Sequence, residues 1–228
     1  MAAASRIPAI ADFLGDVVVF APLTSTERQD VASRMRARHY ARGEVVFHRD
    51  DPSGSFFVIL AGTVKLSTQD EAGREVTMAI QQGGEVFGEL ELFDDQPRSF
   101  TVSAVTETDA LALDRLDFFD VLERHPRAMR AMLVLLARTI RGTAGRLEDL
   151  VFLDLPSRVA KALLGLRNLH GTDGEIHLTQ DDLASFVGAT RASVNRVLAD
   201  LAQQGILDVG RRSVDIKDLD RLQRQIRY

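Results

Sequence analysis

The sequence predicts an α+β chain: an antiparallel β-roll, one long helix, and a helix-turn-helix followed by a β-hairpin wing. Three features predict it. From His39 to about Asp114, short β-branched runs with period-two apolarity alternate with turn residues, as in closed all-antiparallel structures. After His125-Pro126, apolar residues recur in alternating steps of four and three up to about Val151, the seam of two helices packed along their length. From Leu178 to Ile216 come two capped helical segments and a hairpin.

The chain is 228 residues long, room for two small domains. The expected division is 1–126 for the β-roll with its flanking helices, 127–154 for the long helix and hinge, and 155–228 for the helix-turn-helix. It contains no cysteine, which excludes disulfides, thiol catalysis, thiolate-bound zinc and iron–sulfur clusters. His39, His48, His125, His170 and His177 show no paired spacing for a metal, so no metal site is expected. No apolar run approaches the ~20 residues that cross a bilayer, and the amino terminus lacks a secretory pattern. The expected location is cytoplasmic. Net charge is −5, but residues 156–228 hold 11 Lys+Arg against 9 Asp+Glu, while the remainder holds 17 against 24. The basic excess sits in the last third.

In chain order, residues 1–30 read as helical, with Phe13, Leu14, Val17 and Val18 as an apolar face. Thr24 and Glu27 have capping-box spacing for a second helix. Expected strands are Val45–Phe47, Phe56–Leu60, Val64–Ser67, Val76–Ile80 and Thr101–Val105, with Gly43, Gly62 and Gly83 at tight corners that need positive φ. Leu66 and Met78 fall on inward faces of neighbouring strands, where they either wall a ligand or fill ordinary core.

The most informative stretch is Gly88-Glu89-Leu90-Glu91-Leu92-Phe93-Asp94-Asp95-Gln96-Pro97-Arg98-Ser99. Val86-Phe87 and Phe100-Thr101-Val102 flank it as strand, and between them lies a short turn of helix with Leu90, Leu92 and Phe93 inward. Backbone N–H groups at the turn, the planar fork of Arg98 and the Ser99 hydroxyl suit a phosphate. The Glu89 carboxylate suits a sugar hydroxyl. Anion donors beside one sugar acceptor describe a compact nucleotide.

Leu116–Glu123 reads as a short helix. The long helix has Met129, Leu133, Leu136, Ile140, Leu147 and Leu150 as its seam, with Thr143 the one polar seam position beside Gly142 and Gly145. Thr143 either sets register or faces a bound base. Leu155-Pro156-Ser157 reads as a hinge, with one more helix beyond it, then a loop at Gly171–Gly174 and a strand at Ile176-His177-Leu178.

Thr179 caps the next helix with Asp182 at the third position, Gly188 lies in the turn, and Thr190 caps the second helix. Ala184, Val187, Val194 and Leu198 have the spacing to pack the two helices together. The second helix presents Arg191, Ala192, Ser193, Asn195 and Arg196, a small donor-rich face suited to the major groove. Ile206–Ile216 reads as the wing, with Arg211 and Arg212 at its tip for phosphates.

The twelve-residue stretch resembles the phosphate-binding cassette of cyclic-nucleotide-binding domains. Together with the heptad helix, the hinge Phe152–Ala160 and Gly205-Ile206-Leu207 before the wing, it makes essentially the whole chain resemble the cyclic AMP receptor protein/FNR superfamily of bacterial transcription regulators, closest to the cyclic AMP-responsive branch. The resemblance implies that Gly88 and Leu90 supply backbone contacts, Glu89 holds the ribose 2′-hydroxyl, and Arg98 and Ser99 hold the cyclic phosphate. It implies a homodimer that binds an inverted-repeat DNA site under control of cyclic AMP as allosteric ligand, contacts RNA polymerase, and is not an enzyme. The alternatives are cyclic GMP, another ligand or none, or a regulatory subunit acting on a protein partner. The chain departs from the pattern twice. The polar pair that reads adenine is Thr143-Ala144, and the recognition helix carries Ala192 where the family has glutamate.

Overall fold

A computed structural model describes residues 6–169, 175–176, 178–210 and 212–227. Two helices open the chain, α1 (Arg6–Phe13) and α2 (Ser25–Arg34). Eight strands follow: β1 (Arg36–Tyr40), β2 (Val45–Phe47), β3 (Ser55–Ala61), β4 (Thr63–Gln69), β5 (Glu75–Gln82), β6 (Val86–Phe87), β7 (Thr101–Ala104) and β8 (Thr108–Asp114), with the short helix α3 (Leu90–Asp94) between β6 and β7. Next come α4 (Arg115–Arg124), α5 (Pro126–Phe152) and α6 (Leu155–Leu169). The carboxy-terminal part holds β9 (Glu175–Ile176), α7 (Gln180–Val187), α8 (Arg191–Gln203), β10 (Leu207–Val209), β11 (Val214–Ile216) and α9 (Leu219–Gln223). The described residues fall into two compact units. One runs to Thr68 and resumes over Ala79–Ile140; the other joins Gln69–Met78 to the chain from Arg141 onward.

The roll is two four-stranded sheets, ordered β1-β8-β3-β6 and β2-β7-β4-β5. The paired strands run antiparallel, β3 being held by β8 on one side and β6 on the other. β3 explains why Phe56–Leu60 is a continuous apolar run. Phe56 and Val58 join Phe20, Leu111, Leu113, Phe118 and Met132 in one core, while Phe57 and Ile59 join Val64, Phe87, Val102 and Ala112 in another. A strand buried on both faces has no polar side to show. Phe56 stacks on Phe118 and Phe57 on Phe87, each with ring centroids 4.8 Å apart.

Two strands escape the sequence reading. β1 is almost wholly exposed and reads Arg-Ala-Arg-His-Tyr, without an apolar signal. β8 reads Thr-Asp-Ala-Leu-Ala-Leu-Asp, where alanine and leucine favour helix locally. Pairing with β1 and β3 overrides that preference. The carboxy-terminal helix α9 is also unforeseen.

At the amino terminus Leu14 and Val17 are buried as expected, but Val18 is 38% exposed and Val19 and Phe20 turn inward instead. Helix α1 has ended by then, and the chain follows turns. Among the corner glycines, Gly43 and Gly62 have positive φ, but Gly84 rather than Gly83 carries it in the third corner. The strand expected at 176–178 is Glu175–Ile176, and His170, Gly171–Gly174 and His177 lie outside the described residues.

Thr24 caps α2 in a complete capping box. Its hydroxyl accepts from Glu27 N–H at 3.3 Å, and its own N–H donates to the Glu27 carboxylate at 2.6 Å. Thr24→Ala removes the side-chain half of that box. Urea unfolding should show a loss of about 1 kcal/mol; an unchanged midpoint would mean that the cap contributes nothing here.

Candidate functional site

The cassette begins where β6 leaves β3. Gly88 has φ +79°, and a Cβ there would lie 2.8 Å from Arg98 Nη1 and 3.1 Å from the Ser55 carbonyl oxygen. Both the left-handed backbone and the close approach therefore demand glycine. Arg98, 3% exposed, crosses back to this point. Its Nη1 donates to the Gly88 carbonyl at 2.9 Å and its Nη2 to the Ser55 carbonyl at 2.8 Å. The guanidinium lies 4.1 Å from the ring centroid of Phe47, which itself packs against Phe57 and Phe87. The Arg98 backbone is held on both sides, donating to Asp51 O at 2.9 Å and accepting from Asp50 N at 2.8 Å. Among the described residues Arg98 Nε is buried without a hydrogen-bond partner.

Two carboxylates face this cation. Glu91 Oε2 lies 3.4 Å from Arg98 Nη1, and Oε1 accepts from the Ser99 backbone N–H at 2.8 Å. Both side chains of the Glu91–Arg98 pair are about 95% buried. Burial lowers the Arg98 pKa, and Glu91 opposes that shift. Glu89 is also buried, at 7% exposure. Burial pushes its carboxyl up to about 7, against the downward pull of its own backbone N–H and of Arg98 and with an upward push from Glu91. At neutral pH such a group both accepts and donates hydrogen bonds, as a hydroxyl partner requires.

The structure thus brings Gly88, Glu89, Arg98 and Ser99 together. Leu92 is buried, but Leu90 and Phe93 are 37% and 38% exposed, against the expected inward trio. Helix α3 is only five residues long and buries only its Glu91–Leu92 side; Phe93 makes edge contacts with Phe118 and Phe119 instead. Leu66 is half-buried against the inner core of the roll. Glu91 carries no role in the sequence reading. The signal available was a carboxylate two positions after Glu89, on a helix too short to send both to solvent.

The second unit holds Met78 and Thr143. Thr143 is exposed on α5. Met78 is half-buried, and its carbonyl accepts from Arg146, which also donates to the Thr77 carbonyl at 2.9 Å. Arg146 lies 4.5 Å from the Phe186 ring centroid. The Thr77 hydroxyl donates to Ser185 at 2.9 Å, and Ser185 donates to the Glu75 carbonyl at 3.0 Å. Sequence reading misses Arg146 and Ser185 because their partners here are mostly backbone carbonyls, which no side-chain pattern encodes.

The helix-turn-helix forms as read. Thr179 accepts from Asp182 N–H at 3.1 Å, and Thr190 from Ser193 N–H at 3.3 Å. Gly188 ends α7 at φ +65°. Ala184, Val187, Val194 and Leu198 are buried. On α8, Arg191, Ala192 and Arg196 are exposed, but Ser193 and Asn195 are only half-exposed. The Ser193 hydroxyl is 2.9 Å from that of Thr190, and the Asn195 carboxamide oxygen is turned inward without a partner among the described residues. Arg191 pairs with Asp181 at 3.1 Å, both largely exposed, which holds the arginine only weakly. In the wing Val209 pairs with Val214 and Arg212 is exposed at the tip, while Arg211 lies outside the described residues.

On α5, Leu133, Ile140, Leu147 and Leu150 are all more than half exposed. Met129 and Leu136 are half-buried against the core of their own chain. Among the described residues no cluster of histidine and carboxylate side chains is arranged for a metal, and no helix is long and apolar enough to cross a membrane.

Glu89 should leave a pH signature. Its folded pKa, about 7, is raised from 4.5, so its contribution is most favourable below 4.5 and is lost as pH rises through 7. Across that window the loss is on the order of 3 kcal/mol. Glu89→Gln should therefore gain stability relative to wild type between pH 4.5 and pH 8 by that order in urea unfolding. A constant difference at both pH values would show that folding does not raise the Glu89 pKa.

Residues 37–125 match the cyclic nucleotide-binding domain family, and residues 157–225 match the Crp-like helix-turn-helix domain. The CRP-like cAMP-activated global transcriptional regulator of Mycobacterium tuberculosis is 37% identical over 194 residues, 82% of this chain and 87% of that protein. The cyclic AMP receptor protein of Thermus thermophilus is 33% identical over 193 residues, covering 84% and 89%. Among solved structures, FixK2 of Bradyrhizobium japonicum matches with a TM-score of 0.79 at 21% identity, over 85% of this chain and 98% of that one. With matching domains in the same order and relatives this similar along most of its length, the chain belongs to the cyclic AMP receptor protein/FNR superfamily of bacterial transcription regulators.

Proposed function

We propose that this chain is a cytoplasmic, homodimeric regulator whose DNA binding is gated by a cyclic nucleotide, cyclic AMP being the ligand. The observation that carries the ligand reading is the buried Arg98 fork fixed on the Gly88 carbonyl beside the buried carboxyl of Glu89. A cyclic phosphate supplies an anion for Arg98 and Ser99, and a ribose hydroxyl supplies the partner of Glu89. Gly88 and Leu90 add backbone contacts, and Leu66 and Met78 wall the ligand. The names of the two relatives, a cAMP-activated regulator and a cyclic AMP receptor protein, support the choice of base. Thr143 is the seam residue that meets that base, with Ala144 beside it offering no second contact.

Dimerisation uses Leu133, Ile140 and Leu147, which repeat every seven residues and are exposed in the single chain. Leu150, Met129 and Leu136 extend the seam, the last two shared with the core of their own chain. The working division is 1–126 for nucleotide, 127–154 for dimer contact and hinge, and 155–228 for DNA. On DNA, Arg191 and Arg196 read guanines, Thr179, Thr190, Ser193, Asn195, Arg211 and Arg212 are the further contacts, and RNA polymerase is the further partner. Ligand acts through differential affinity for two arrangements of the dimer.

Calorimetry with cyclic AMP and cyclic GMP, followed by gel shifts with and without the tighter ligand, tests the whole reading. Arg98→Ala should weaken cyclic AMP binding by about 1.5–3 kcal/mol; unchanged affinity would remove the phosphate assignment, and equal DNA affinity with and without ligand would remove the switch.

Selection of randomised DNA tests the recognition helix. The two helices of a dimer should select an inverted repeat with half-sites about 34 Å apart. A glutamate at Ala192 would accept from cytosine N4, which a methyl group does not. Wild type should therefore be relaxed, or shifted towards T, at that base pair, with discrimination lower by roughly 1–3 kcal/mol there alone. Ala192→Glu should restore C and leave the guanines unchanged. Strict selection of C by the wild type would mean that the helix docks differently.

A further inference from the structure

We infer that Glu91 is a resident anion that competes with the ligand phosphate for its own site, so that nucleotide binding is an exchange of one anion for another. The inference rests on the reading of Arg98 and Ser99 as the phosphate contacts. In this structure Glu91 already sits against Arg98 and against the backbone N–H of Ser99. Glu91 Oε2 lies 3.4 Å from Arg98 Nη1, and Oε1 takes the Ser99 N–H at 2.8 Å. One carboxylate thus spans the cation and the backbone donor that a phosphate would span with two of its oxygens.

The arrangement is fully enclosed, with side-chain exposures of 4% and 5% for Arg98 and Glu91, so water does little to screen it. Glu89, also buried, is the next carboxyl in the same pocket. Adding a phosphate monoanion without removing Glu91 would set three acidic groups around one guanidinium, two of them like-charged at contact distance. Arg98 is fixed by the Gly88 and Ser55 carbonyls and by Phe47, so it does not move to relieve this. The Glu91 backbone is tied as well, its carbonyl accepting from the Ser53 hydroxyl at 3.3 Å. The side chain is the part left to move, by rotation about its own bonds into solvent. The buried Arg98 Nε, without a partner among the described residues, is a donor that Glu91 leaves unfilled and that a phosphate is free to take.

Glu91 therefore has two effects. Without ligand it neutralises a buried cation, which would otherwise destabilise the roll. With ligand it must be displaced, which weakens binding and raises the concentration at which the site fills.

The test is calorimetric titration of the full chain with cyclic AMP, for wild type, Glu91→Ala and Glu91→Gln, alongside thermal melts with and without the nucleotide. Both variants should bind at least tenfold more tightly than wild type. Ligand-free Glu91→Ala should melt below wild type and gain more from the same concentration of cyclic AMP. Glu91→Gln keeps the size of the side chain and answers the question if the alanine variant does not fold. Variants that bind no more tightly than a wild type that does bind would overturn the exchange alone and make Glu91 a fixed part of the roll. If neither wild type nor variants bind cyclic AMP, the exchange and the phosphate reading of Arg98 both fail.

Discussion

The cassette depends on one buried guanidinium. Arg98 has left water, and its charge is tolerated because the chain surrounds it with acceptors: two backbone carbonyls, one carboxylate and an aromatic face. A buried cation with a missing partner costs several kcal/mol, so each neighbour is constrained in turn. Gly88 is glycine because a Cβ would strike the guanidinium. Phe47 packs against both Phe57 and Phe87, which belong to the inner core of the roll. Side chains that read as a ligand site are thus also structural, and the roll is built around the place where an anion is needed.

The same buried pocket explains the unequal behaviour of its two carboxylates. Glu91 touches Arg98 and a backbone N–H. Glu89 is held by its own backbone N–H and more weakly by Arg98, and burial, the larger effect, raises its pKa towards neutrality. Two acids two positions apart on one turn are therefore divided by geometry into an ion-pair partner and a protonatable group. Such a division is typical of functional pockets.

At the other end of the chain the logic is that of caps. Thr179, Gly188 and Thr190 each settle a helix end locally, so the helix-turn-helix is specified by short-range chemistry. Its outward face is then decided by which residues the packing of Ala184, Val187, Val194 and Leu198 leaves free. That packing exposes Arg191, Ala192 and Arg196 and draws the Asn195 carboxamide inward.

The sequence alone determined what is local or periodic: the capping box at Thr24, the two capped helices, the heptad helix, most of the roll strands and the twelve-residue cassette. These are legible because caps, turns and apolar periods act over a few residues. Tertiary structure alone decided the rest. Strands β1 and β8 exist through pairing, against a polar sequence in one and an alanine-rich one in the other. Val18, Leu90 and Phe93 stay more than a third exposed because a short helix or a turn presents only one side to a core. The partners of Arg146 and Ser185 are backbone carbonyls and a hydroxyl brought near by folding. The role of Glu91 belongs here too: in the sequence it is one acid in an acidic turn, and only the return of Arg98 and Ser99 to the same point makes it the counter-ion of the pocket.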